Sequence, residues 1–387
     1  MLIWGDKIML IGMNELCLCG SGKKFKKCCR NLIDYNLSYS PYDFNVLNLK
    51  QIIDDVYKKN KKSKCLYPSC NGFAIDSHSI QKGGVLKLLS ENDEVCHNFI
   101  NYNTYKMEKV SQKEDSKDMI LRIGGRLGYG DFSLRCNLNF YKDNINNVSV
   151  FKGFCNKHDT EIFKNIEFKS VNDITFHNND EEVFLYCYRL FSYFYKVCKI
   201  ETEIMQRLFK NNINCFYNNK GAICQIRECI KEFNRLDNEK CRLDKHIINK
   251  SFNLFNKNYV VLPYKVSFFS MSLLPMIVNG KVCFSYIFVI PTVNETHIYF
   301  CWDKNEDIVK DGLIEYFDTL NTIVLSNLIL LSKTRIVVTP SKISKIENNS
   351  VLKKLLICSD FFEYNKELRL NMFDNITKDF GIDFFNL

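Results

Sequence analysis

The chain is 387 residues long, 46% hydrophobic and 14% aromatic, which allows two or three domains with sizeable cores and excludes global disorder. A formal net charge of +9 permits contact with nucleic acid or another polyanion without requiring it, and 6 Pro with 16 Gly argue against long flexible linkers. The 18 Cys accompany no secretory signal and are expected as reduced thiols in a cytosol.

The first twelve residues are apolar but short and charged, and Met13 is read as the natural start, with residues 1–12 an upstream extension. Then comes CLCGSGKKFKKCC, in which Cys17 and Cys19 are followed by adjacent Cys28 and Cys29. Four thiols this close suit a tetrahedral zinc site, whereas adjacent and near-adjacent Cys make poor disulfides. Gly20, Ser21 and Gly22 supply a tight turn, and Lys23, Lys24, Lys26 and Lys27 favour thiolate over thiol. The C-x-C-x8-C-C string, with GSGKKFKKC inside it, resembles the SEC-C zinc motif first known from the tail of the SecA translocase. The resemblance implies a small zinc knuckle that docks on partners, with zinc on Cys17, Cys19, Cys28 and Cys29.

Residues 32–64 read as a helical basic tether, one helix over 41–64 ending in KKNKKSK. A second constellation follows. Cys65 and Cys70 are spaced C-x4-C, Asp76-Ser77-His78-Ser79-Ile80 comes next, and GFCNKHD at 153–159 closes it with C-x2-H-D. Cys65, Cys70 and Cys155 make a zinc set with His78 as one candidate fourth ligand. Taken in order, the string resembles the zinc-stapled HNH (ββα-metal) nucleases. That resemblance implies a structural zinc on Cys65, Cys70, Cys155 and His158. It also implies His78 as the base that activates water, with Asp76 and Asp159 holding Mg²⁺ or Mn²⁺. Lysines 58–64 would hold the nucleic-acid backbone. Ser77 stands where the family has a histidine, and residues 81–150 must be an insertion. Asn146, Asn147 and Asn156 compete for the family's middle position. Cys96-His97 is read as an incidental pair, and IGGRLGYGD at 123–131 as a glycine-rich turn, since it lacks the Walker spacing.

Residues 180–210 predict a helix with acidic residues first and a core stripe of Phe184, Tyr188, Phe191, Tyr195 and Cys198. A charged helix is expected over 221–256, with a break at Leu262-Pro263. From 264 the pattern turns to strands, at 264–278, 282–291 and 295–302. Asn279-Gly280 between two β-rich runs marks a hairpin, so the most apolar region, 266–293, is read as two buried strands and not a membrane span. A helix at 306–320 and an apolar stretch at 321–339 follow.

The expected fold class is therefore α+β: a zinc knuckle at 13–31, the tether at 32–64, an HNH-like Cys/His zinc unit at 65–165 with its insertion, and a helical plus antiparallel-sheet domain at 180–387 that serves as scaffold or sensor. The expected function is a metal-dependent, HNH-like nuclease acting on nucleic acid. The pattern also resembles a group of bacterial proteins associated with phage-defence loci, which favours such an effector. The alternative is a noncatalytic zinc-binding adaptor that docks on a ribosome, chaperone, nucleic acid or protein partner. The two part at Asp76, His78 and Asp159: an enzyme needs them converged on an open metal position, and an adaptor needs only closed cysteine sites.

Overall fold

The computed structural model describes residues 10–35, 46–98, 140–167, 179–217, 220–278, 281–306, 321–348 and 383–386. The fold is mixed α and β, with an N-terminal cysteine cluster and a C-terminal antiparallel sheet. It divides into two compact units built from non-contiguous segments: 1–61, 106–136 and 197–237 in the first, and 62–105, 137–196 and 238–387 in the second.

The first unit joins the N-terminal cysteine cluster to helices. Helix α1 (Val46–Lys61) buries Ile52, Ile53 and Val56 at helical spacing and ends on Lys58, Lys59 and Lys61, where the helix dipole favours positive charge. Residues 41–45 of the predicted helix lie outside the described residues. The other contributors are the C-terminal part of α3, a short α4 (Ile213–Tyr217) and the N-terminal part of α5. Helix α3 runs Asp180–Asn211 and α5 runs Lys220–Asn249.

The second unit contains two antiparallel sheets. Strands β1 (Asp76–His78) and β4 (Val150–Lys152) pair in register Asp76↔Lys152 and His78↔Val150, and α2 (Asn156–Glu167) follows within four residues. The larger sheet has seven strands, ordered β3-β2-β9-β6-β7-β8-β5. Its centre is the predicted meander: β6 (Phe268–Val278), β7 (Lys281–Pro291) and β8 (Thr296–Asp303). Asn279 and Gly280 lie outside the described residues, but the Val278↔Lys281 pair flanks them at two-residue hairpin spacing. The predicted helix at 306–320 and the glycine-rich loop at 123–131 fall almost wholly outside them too.

Three features depart from the expected elements. Helix α5 stops at Asn249, short of the expected 256, where Lys250 takes φ +51°, and β5 (Phe255–Leu262) then adds an edge strand where no strand was expected. Most of β5 is only partly buried, so it shows no inside–outside alternation to announce it. The segment read as an insertion contributes β2 (Glu94–His97) and β3 (Tyr141–Asn144), and β2 pairs with β9 (Lys333–Val338) of the C-terminal sheet. The apolar stretch 321–339 splits into α6 (Thr322–Leu331), capped by the Asn321 side chain accepting from Val324 N at 3.1 Å, and β9.

Both faces of the large sheet are covered. The aromatic stripe of α3 lies on one face, with Tyr186 against Phe288 and Phe191 against Phe284. On the other, Leu325, Leu328 and Ile329 of α6 join Ile287, Val289, Ile298 and Phe300 in one core cluster with Phe384 and Phe385. Double coverage explains why β6–β8 read as near-continuous apolar runs. No helix among the described residues is long and apolar enough to cross a membrane.

Candidate metal centres

The N-terminal knuckle is shaped by its backbone. Cys17 N donates to Lys23 O at 2.8 Å, Phe25 N to Glu15 O at 2.8 Å and Cys28 N to Phe25 O at 3.0 Å, closing the loop on itself. Gly20 and Gly22 sit at φ +75° and +71°, the left-handed region that glycine enters without strain. Phe25 is fully buried beneath the loop, while Lys23, Lys24, Lys26 and Lys27 are exposed. The Cys17, Cys19, Cys28 and Cys29 sulfurs all lie within 4.8 Å of one another, with Cys19 and Cys28 at 3.6 Å. A tetrahedron with Zn–S bonds of about 2.3 Å has edges of about 3.8 Å, so the donor set fits zinc. A hydrogen bond from Cys29 holds the Cys17 thiol down to about 5, while Cys19 is pushed up by burial. Metal loading would release the protons that the thiols still carry.

Residues 13–31 match the SEC-C motif. The match covers the knuckle and not the rest of the chain. No curated protein and no solved structure matches the chain. Here the SEC-C knuckle is not a free appendage. Arg227 Nη2 reaches Glu15 Oε2 at 2.7 Å and the Leu10 carbonyl at 2.9 Å, and Asp34 N donates to Asn214 Oδ1 at 2.8 Å. A Cβ on Gly20 would stand 2.5 Å from Gln206 Oε1, so the Gln206 side chain of α3 would have to move aside.

In the second unit, Cys65, Cys70, Cys155 and His158 form the other cluster, their ligand atoms again within 4.8 Å. Cys70 and Cys155 sulfurs are 3.8 Å apart, and His158 Nδ1 is 3.6 Å from Cys65 and 3.2 Å from Cys155. These spacings fit the donors of a Cys3His tetrahedron. The fourth donor gathered with these three sulfurs is His158, and His78 is not in the group. Backbone N–H groups support the sulfurs: Tyr67 N and Cys155 N reach Cys65 at 3.4 and 3.2 Å, and Gly72 N reaches Cys70 at 3.4 Å. The His158 ring stacks on Tyr67, centroids 4.0 Å apart. Burial, aided by the Lys157 charge, keeps that imidazole neutral, as ligation requires, and burial pushes the Cys65 thiol up to about 12. A buried clamp that the sequence does not announce holds this knuckle. Lys240 Nζ donates to the Leu66 carbonyl at 2.9 Å and to Tyr188 Oη at 3.2 Å, and pairs with Asp244.

The three residues expected to be catalytic are not gathered into one metal-ligating group among the described residues. Strand alternation places Asp76 and His78 on one face of β1 and Ser77 on the other, where it is buried. Asp76 Oδ1 meets Lys152 Nζ at 3.0 Å across the strand pair. Asp159 lies on the Ser77 side: burial raises its carboxyl above the usual range, opposed by the Arg189 charge and the Ser77 hydroxyl. His78 keeps one feature of a base. Nδ1 lies 3.1 Å from the Val148 carbonyl, so that nitrogen carries the proton, and burial together with the Arg189 charge holds the ring neutral. Asn146 and Asn147 are engaged with Asn144 and Asp143 in the turn before β4.

Proposed function

We propose that this chain is a noncatalytic zinc-binding adaptor that carries one zinc ion in the SEC-C knuckle and a second in the Cys3His knuckle. One observation carries the reading: each cluster supplies four protein donors to one point, leaving no coordination position for substrate or water, which is the mark of structural zinc. The exposed face of the SEC-C knuckle is basic, with Lys23, Lys24, Lys26, Lys27 and Arg30, and suits an acidic partner such as nucleic acid. The test is a gel shift with plasmid DNA and with structured RNA, using zinc-loaded protein and a Lys23→Ala/Lys24→Ala/Lys26→Ala/Lys27→Ala variant. Salt-sensitive binding that weakens in the variant, without cleavage in Mg²⁺ or Mn²⁺, supports the adaptor. Loss of no affinity in the variant removes the knuckle from the partner surface.

A second reading, hydrolysis of phosphodiester bonds by a ββα-type nuclease, is favoured by the order strand pair, zinc knuckle, helix α2 and by the neutral His78 with its proton on Nδ1. Metal-dependent cleavage lost in His78→Ala would establish it over the adaptor.

A further inference from the structure

The Cys65–Cys70 knuckle closes as a short antiparallel ribbon. Lys64 bridges to Phe73, with Cys65 N donating to the Gly72 carbonyl and Ala74 N to the Ser63 carbonyl, both at 2.9 Å. These two bonds flank the bridge, so Lys64 and Phe73 form a non-hydrogen-bonded pair, the kind whose side chains stand closest on one face. The same register sets Lys62 opposite Ile75, and strand alternation returns both to that face. Ala74, between Phe73 and Ile75, is buried on the other side. The face itself is open: Phe73 is 68% and Ile75 37% exposed, and Lys62 and Lys64 are exposed with them. Neither lysine has an ion pair among the described residues, and Lys64 Nζ donates to the neutral Asn71 Oδ1 at 3.4 Å. Asp76, the next acid along the chain, is paired with Lys152. The ribbon is pinned at both ends, by Cys65 and Cys70 in the cluster and by Ile75 N donating to the Phe154 carbonyl at 2.7 Å.

We propose that this ribbon face docks single-stranded nucleic acid, with Phe73 stacking on a base and Lys62 and Lys64 holding the flanking phosphates. An exposed aromatic ring offers any unpaired base a flat partner, whatever its sequence. Two ammonium groups without a counter-charge, on the same face, complement the phosphate backbone on either side of that base. A duplex keeps its bases stacked on one another and gives Phe73 no open ring to meet. The inference rests on the adaptor reading for the class of partner. It uses none of the SEC-C lysines, so the two surfaces are separable by mutation.

The test is fluorescence anisotropy of the zinc-loaded, full-length chain with labelled oligouridylate, oligothymidylate and a mixed-sequence duplex, over a series of salt concentrations. Phe73→Ala weakens single-strand binding by about tenfold or more and leaves duplex binding unchanged. Phe73→Tyr keeps the affinity, and Phe73→Leu does not. Lys62→Ala/Lys64→Ala lowers the slope of log affinity against log salt by about 1.4. The tighter of the two single strands tells RNA from DNA. If Phe73→Ala loses its zinc, Phe73→Leu, which keeps the apolar bulk, is the deciding variant. A zinc-loaded Phe73 variant of either kind that binds single strands within about twofold of wild type overturns the proposal. So does an equal loss on single strands and duplex, and so does the absence of binding to any oligonucleotide, which leaves the face to a protein partner. The same series is run with Lys23, Lys24, Lys26 and Lys27 replaced by Ala. Phe73-dependent binding that survives there supports this surface even if the SEC-C knuckle fails as one. Binding lost there yet indifferent to Phe73→Ala overturns this surface and leaves the SEC-C face standing.

Discussion

Replacing Lys240 by Met removes the cation from a buried cluster and leaves its acceptors in place. Lys240 is 6% exposed at the side chain and Asp244 18%. Removing one partner of a buried ion pair costs about 3–5 kcal/mol, and the partial exposure of Asp244 places this pair near the lower end. The Leu66 carbonyl also loses its 2.9 Å donor, which costs about 1–3 kcal/mol if nothing replaces it. A loss of about 3–5 kcal/mol is therefore expected, a large share of a typical stability of about 5–15 kcal/mol. The double variant Lys240→Met/Asp244→Leu removes both charges at once and recovers part of that loss, because paired removal leaves no orphaned ion. Because Leu66 adjoins Cys65, the single variant also releases zinc at lower urea, read with a chromogenic chelator alongside circular dichroism. A Lys240→Met variant within about 0.5 kcal/mol of wild type, or a double variant less stable than the single, refutes the assignment of the clamp.

Three further outcomes follow from the same geometry. Gly20→Ala destabilises the first unit more than Gly22→Ala: both adopt positive φ at a cost of about 1–2 kcal/mol, but only Gly20 faces Gln206, so adding Gln206→Ala narrows the gap in urea melts. Equal costs, or no relief from Gln206→Ala, contradict that contact. Burial holds His97 down to about 4, with Asp143 on β3 opposing and Arg335 on β9 assisting, so the unfolded chain takes up this proton first as pH falls. Stability from His97 is present above about pH 6.5 and lost toward pH 4, amounting to about 3 kcal/mol. His97→Gln shows a shallower acid limb than wild type in denaturation series, and identical limbs exclude His97 as the source. Asp76→Asn leaves zinc content unchanged and costs less than about 1 kcal/mol, since its partner Lys152 meets it at a half-exposed carboxylate. A zinc loss in that variant would place Asp76 in the knuckle's support.

The clusters were legible because metal ligation needs particular atoms at short spacing. Cys17 through Cys29 are local, and Cys155 immediately precedes α2 with His158 in its first turn, so the donor groups were readable even though Cys65 and Cys155 are far apart in the chain. The aromatic stripe of α3 and the β6–β8 meander were readable for a related reason, since period and turn residues mark them directly. What sequence could not supply was relative placement. The i, i+4 spacing of Lys240 and Asp244 is visible on a charged helix, where it reads as a solvated pair; only the packing against Tyr188 and Leu66 makes it a clamp. Arg189 sits inside an apolar aromatic run and offers no periodic signal that it pairs with Glu167. Asp76, His78 and Asp159 read as one site, yet strand alternation keeps Asp76 and His78 on one face of β1 while Asp159 lies on the Ser77 side.

The central claim is that two closed clusters each hold one zinc ion. Its most direct measurement is the metal content of purified wild type beside Cys17→Ser and Cys155→Ser by plasma mass spectrometry. The account predicts two zinc ions per wild-type chain and one in each variant, with the other knuckle still loaded. A wild type that carries one zinc and a Cys155→Ser variant that loses none would contradict it.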